Sequence, residues 1–341
     1  MQTPTVSVLT SCEEPMSRVS ANPLRVTLSQ RLLRLRLAGI FLLLSAIASV
    51  HDASASQTTF ATLDQAVNAL VTAAEAGSMS DLLRIFGPDG KPLLSSGDAV
   101  ADRQALDRFV ALYDESNRIT TEGADRATLV IGKDEWPFPI PLVRNAGNWH
   151  FDTAAGKEEI LNRRIGHNEL SVLEVCRAYV DAQREYASKD RNHDGFDEYA
   201  QRFASSAGKR DGLYWPTKAG EEDSPLGPLF ASAQAAGYSG KPVQGAHTPY
   251  YGYYYRILKA QGPDAPGGAY DYVVNGHMIG GFALVAFPAQ YDVSGVMTFI
   301  VNQDGDIYQK DLGPNTAAIA DHMTRYNPSA SWSKQSADVS Q

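Results

Sequence analysis

The sequence predicts an α+β protein made of two modules in series, and three patterns in it point there. Apolar residues recur at helical spacing just after residue 60. Strand-like runs separated by turn residues follow, up to about residue 152. The same order, a long helix and then strands, returns after residue 166. The expected segments are a leader over 1–55, an N-terminal module over 56–165, a C-terminal module over 166–326 and a disordered Ser-rich tail over 327–341.

The first helix starts at Thr62-Leu63-Asp64-Gln65, which has capping-box spacing. Leu63, Ala66, Val67, Leu70, Val71 and Ala74 then share one face, and Gly77 ends it. A short helix is expected over Ser80–Phe86, and Leu106, Phe109, Val110 and Tyr113 mark a third. Strands are expected at Ala127–Ile131, Phe138–Val143 and Asn148–Asp152, with Asn145-Ala146-Gly147 as a hairpin turn. Pro137, Pro139 and Pro141 each lack an N–H, which suits the edge of a small curled sheet.

A helical stretch links the two modules, and Gly156–Arg164 reads as its first piece. Ser171-x-x-Glu174 reads as the cap of the next, whose stripe is Val172, Val175, Cys176, Tyr179, Val180 and Tyr186. Cys176 lies in that stripe and reads as a small core residue. Residues 208–249, rich in Gly and Pro, read as a long connection with one short helix at Leu229–Ala236. Strands are then expected at Tyr250–Leu258, Phe282–Phe287, Val296–Asn302 and Asp306–Gln309, the last two joined by Gln303-Asp304-Gly305.

The leader bears on location. Arg25, Arg31, Arg34 and Arg36 precede an apolar run, Leu37 to Val50, and Ala53-Ser54-Ala55 follows, which is the pattern of a cleaved signal peptide. The run is short for a membrane span, and no later run is long enough for one. A start at Met16 would remove Cys12 from the chain. The expectation is export, to the periplasm or beyond. The chain carries 30 basic and 39 acidic residues; cleavage after Ala55 takes away five arginines and three acids and leaves an excess of 11 acids. Such a balance argues against nucleic acid or anionic lipid as partner. Cys176 would then be the one remaining cysteine, so the fold must stand on its core without an internal disulfide.

Residues also carry resemblances. Tyr179-Val180-Asp181-Ala182-Gln183-Arg184-Glu185-Tyr186 and the run from Gly295 to Gly305 resemble the helix and closing hairpin of pilin-like head domains. The first module resembles the nuclear-transport-factor-like or cystatin-like class in element order, ending at Trp149-His150-Phe151. Arg177-Ala178-Tyr179-Val180-Asp181-Ala182-Gln183, the run from Lys209 to Pro216 and the run from Gly280 to Ala286 resemble an exported bacterial family, domain of unknown function 2950. That resemblance implies location and fold, not an activity. Pilins polymerise through an apolar N-terminal helix preceded by a Gly-Phe cleavage signature; here neither precedes the helix at 168, which follows another module, so the likeness does not imply a fibre.

The strongest chemical signal is Asp190-Arg191-Asn192-His193-Asp194-Gly195. Asp190, Asn192 and Asp194 at alternate positions put oxygens on one side of a tight turn, Gly195 permits the bend and the Phe196 carbonyl supplies a further oxygen. A helix precedes the loop and one is expected after it at Glu198–Ala204. Gln201 stands where a bidentate carboxylate belongs, and Glu198 or Asp197 is the substitute in a shorter loop. The reading is a weak calcium site formed by Asp190, Asn192, Asp194, Phe196 and Glu198, set against a solvated turn.

The other signals are weaker. His150, His167, His193, His247, His277 and His322 show no metal-pair spacing, and neither a nucleophile elbow nor a phosphate-binding loop is present. Tyr250, Tyr251, Tyr253, Tyr254 and Tyr255 read as cross-strand packing, with a sugar-binding strand as the rival. With no catalytic motif, the expected function is a binding or assembly module of the cell envelope with a protein partner, stabilised by calcium. The rival is an enzyme or small-ligand binder with a pocket in the first module, lined by Asp134, His150 and Tyr113.

Overall fold

The computed structural model describes residues 57–218, 220–238 and 248–335. The expected signal peptide and the last residues of the tail lie outside them. The described residues form an α+β fold of seven helices and several antiparallel sheets.

Helix α1 spans Leu63–Glu75. The Thr62 hydroxyl accepts the Gln65 N–H at 3.2 Å, and the Gln65 side chain accepts the Ala61 N–H in return. Helices α2 (Met79–Phe86) and α3 (Lys91–Leu94) follow, then α4 (Ala99–Glu115), whose N-cap Asp98 accepts the N–H groups of Val100 and Ala101. The first sheet comprises β1 (Asn117–Thr121), β2 (Arg126–Ile131), β3 (Trp136–Pro137), β4 (Leu142–Asn145) and β5 (Asn148–Phe151). Its order is β1-β2-β4-β5, with β3 also paired to β2. Pro137 sits in the short β3, and Phe138 to Pro141, expected to be extended strand, form no ladder. The prolines at 139 and 141 have no N–H to offer one.

Between these helices and the sheet the interior is filled. Phe86, Phe138 and Phe151 pack ring against ring, with Leu82, Leu129, Ile131, Ile140 and Leu142 around them.

Helix α5 is a single helix, Thr153–Tyr186, of 34 residues and so about 50 Å long. The expected break after Arg164 does not occur, and the expected module boundary at 165/166 falls inside the helix. Ser171 caps nothing, because its hydroxyl donates to the His167 carbonyl one turn back. The first half of α5 lies on the first core through Ile160 and Leu161. The second half gives Val172, Leu173, Cys176, Tyr179, Val180 and Tyr186 to a second core.

After α6 (Gly227–Ala235) come β6 (Tyr253–Leu258), β7 (Ala260–Gln261), β8 (Tyr270–Asp271), β9 (Val273–Val274), β10 (His277–Met278), β11 (Ala283–Pro288), β12 (Met297–Asn302), β13 (Ile307–Asp311), α7 (Thr316–His322) and β14 (Ser333–Lys334). The main sheet has the order β14-β13-β12-β11-β6 and is antiparallel throughout. Every residue of β11 is buried, so both its faces are covered. The small hairpin β9–β10 lies apart from that sheet.

Two further expectations are corrected. The segment Glu198–Ala204 is not helical. Its backbone is satisfied from outside: the buried Gln183 side chain accepts the Ala200 N–H and donates to the Ala200 carbonyl, each at 2.8 Å, and the Tyr199 N–H donates to the Met278 carbonyl. The described part of the expected tail, residues 327–335, is held to the fold, because β14 pairs with β13 and the Gln335 N–H reaches the Ile307 carbonyl.

Candidate cation site

The loop from Asp190 to Glu198 leaves the C-terminal end of α5 and runs to the hairpin β9–β10. Arg191 is its anchor. Its side chain is 2% exposed, donates to the Tyr186 and Glu185 carbonyls and to Glu222, and lies over the Tyr186 and Trp215 rings. The flanking residues are thereby turned outward.

Asp190 shapes the turn. Its carboxylate accepts the Asp194 N–H at 3.2 Å and the Gly195 N–H at 2.9 Å. The Gly195 N–H, with those of Asp194 and His193, holds the Asp190 carboxyl below the usual carboxylate range. Gly195 has φ +91°, the left-handed region the bend requires. Asp194 accepts the Phe196 N–H at 3.1 Å.

Asn192, Asp194 and Glu198 then converge. The Asn192 amide NH2 donates to Asp194 Oδ2 at 2.8 Å and to Glu198 Oε1 at 2.7 Å. Glu198, 11% exposed at its side chain, also accepts the Met278 N–H. His277 reaches the same place from β10, with Nδ1 at 3.3 Å from Glu198 Oε2 and 3.5 Å from Asp194 Oδ2. One ligand atom from each of Asp194, Glu198 and His277 lies within 4.8 Å of the others. The Phe196 ring stacks on the His277 imidazole, centroids 4.0 Å apart, and fixes its orientation.

The sequence-predicted residues are thus split. Asn192, Asp194 and Glu198 meet, while both oxygens of Asp190 serve backbone N–H groups. Gln201 turns away: its amide donates to the Gly276 carbonyl and accepts from Lys259. His277 was not among the predicted ligands. It lies about eighty residues from the loop, and local spacing carries no trace of it.

The other candidates resolve into packing. Asp134 sits in an exposed turn, Tyr113 packs on the core that holds the phenylalanine cluster, and His150 alternates along β5 with the buried Trp149 and Phe151 and is not part of that core. Strand β6 begins at Tyr253, and Tyr251 has φ +50°, which takes it out of strand register. Tyr253 is buried and donates to the Met297 carbonyl, while Tyr238, Tyr250 and Tyr251 pack on each other. Glu222 pairs with Lys189, Arg191 and Arg210.

The fold and this cluster define an α+β protein with a carboxylate–imidazole group held between a helix-end loop and a hairpin. The chain belongs to the family described as protein of unknown function (DUF2950), whose model matches residues 57–335. No curated protein matches it, and neither does any solved structure. Among the described residues, no helix is long and apolar enough to cross a membrane.

Proposed function

We propose that the protein is an exported, non-catalytic binding or assembly module of the bacterial cell envelope, with a protein partner there, and that its loop 190–198 holds calcium. The leader pattern supports export, and the pilin-like strings support an assembly role. The observation that carries the calcium reading is the convergence of Asn192, Asp194 and Glu198 on a turn already shaped by Asp190.

The Asn192 NH2 stands where a cation would, giving partial positive charge to two carboxylates. A half-turn of that amide offers its oxygen instead, and the Phe196 carbonyl adds another. Calcium accepts such an irregular oxygen set, with affinity in the ~0.1–1 mM range of extracellular modules.

The test is thermal melting of the mature protein with millimolar calcium and with chelator, beside an Asp190→Ala/Asp194→Ala variant. A calcium-dependent rise in Tm that the variant loses is the expected result. Equal Tm in every condition would reject the calcium reading. Cross-linking in intact cells tests the assembly role, which fails if the protein is recovered only as an unlinked monomer.

A further inference from the structure

We infer that Asp194, Glu198 and His277 form a three-point site for a borderline divalent metal of the zinc class, overlapping the calcium loop and competing with calcium for it. The inference rests on the loop reading only in placing a divalent cation at the same spot, since its third ligand comes from outside the loop.

Three observations carry it. The first is the donor set: two carboxylates and an imidazole suit zinc, and nitrogen ligation favours it over calcium or magnesium, which prefer oxygen alone. The second is spacing. His277 Nδ1 is 3.3 and 3.5 Å from the two carboxylate oxygens. Ligand atoms at ~2.1 Å from a tetrahedral ion lie about 3.4 Å apart.

The third is the state of Nδ1. It is buried from solvent and has no hydrogen-bond partner, although two carboxylates lie beside it. An imidazolium serving as a plain ion-pair partner would aim its N–H at one of them. Here neither carboxylate takes Nδ1 in hydrogen-bond geometry, although both lie within 3.5 Å, and a metal held by all three groups would satisfy it.

The ring is also held for the task. Phe196 stacks on it, the adjoining Met278 N–H donates to Glu198, and the Met278 carbonyl accepts from Tyr199. Loop and hairpin are therefore already joined by backbone, and the metal closes a gap that exists. The side chain of Asn192, in contact with both carboxylates, lies within reach as a fourth ligand.

The test uses the mature protein titrated with Co2+, followed by visible absorption, with Zn2+ and Ca2+ as competitors. His277→Ala and Asp194→Asn are run alongside, their folding checked by circular dichroism. The expected result is a 1:1 cobalt spectrum of low-coordinate type, displaced by one equivalent of Zn2+ and suppressed by excess Ca2+. Each variant should weaken cobalt binding at least about tenfold. The calcium-dependent rise in Tm should persist in His277→Ala, because the oxygen ligands remain.

A calcium response without a cobalt spectrum, or cobalt binding indifferent to His277→Ala, would overturn this inference and leave the calcium reading standing. A cobalt spectrum that depends on His277, without any calcium response, would do the reverse for the calcium reading and would also remove the competition. Silence from all three ions would reject both.

Discussion

The Tyr238 hydroxyl donates to Asp98 Oδ2 at 2.9 Å, linking the cap of α4 to the turn just after α6. Asp98 is 1% exposed, and the same oxygen accepts the Gly252 N–H at 3.0 Å, while its other oxygen caps α4. One carboxylate thus satisfies four donors from three parts of the chain. Asp98→Ala removes a cap and orphans two further buried donors, a loss of about 2–4 kcal/mol by urea unfolding. Tyr238→Phe removes that donor and also the acceptor of the Tyr251 N–H, and is expected to lose about 1–2 kcal/mol.

Cys176 is expected to be inert in the native protein. It is wholly buried, and burial pushes its thiol up to about 12. Iodoacetamide at pH 8 should leave the Cys176 peptide unmodified, as read by mass spectrometry, and label it fully in denaturant. Linkage sets the sign at alkaline pH. The unfolded thiol ionises from about pH 9 while the folded one keeps its proton to about pH 12. Its contribution to stability is complete below pH 9 and is lost as pH rises through that window. Cys176→Ala should flatten that decline.

Two glycines in α5 should answer the same substitution with opposite signs. A Cβ on Gly166 meets nothing within 4 Å, so Gly166→Ala gains helix propensity and should stabilise by about 0.5–1 kcal/mol. A Cβ on Gly156 would stand 2.4 Å from the Pro139 carbonyl oxygen, a backbone atom that cannot swing aside. Gly156→Ala should destabilise by about 1–3 kcal/mol. Paired thermal melts decide both.

Arg191→Ala should unseat the loop. It leaves the Tyr186 and Glu185 carbonyls without their donor and opens a void beside Trp215, for about 2–4 kcal/mol in all. Arg191→Lys should restore little, because an ammonium cannot serve Glu222 and two carbonyls as a planar fork does. Proteolysis between residues 186 and 199 in the variants would report the released loop.

Much of the fold was legible because it is written locally. Thr62 and Gln65 announce α1, Ala146-Gly147 and Asp304-Gly305 close hairpins, and the unbroken apolar run from Ala283 to Phe287 marks a strand covered on both faces. What failed depends on distant partners. Glu198–Ala204 carries helix-compatible residues, yet Gln183 and Met278 tie down its backbone in a non-helical path. Ser171 has the spacing of a cap, but the helix before it continues because its first half already has a core to lie on. In the candidate site, the acidic loop could be read from Asp190 to Gly195. The imidazole facing it could not, because only the pairing of Val274 with His277 in a small hairpin delivers it.

Helix α5 feeds both cores, and this bears on how the chain can be divided. A cut after residue 165 would strip the first sheet of part of its cover and leave the second helix half without a capped start. Neither product would be a self-sufficient cassette. Gene fusions that exchange one half for another should fail at that joint, and recombinant exchange should carry both halves of α5 together.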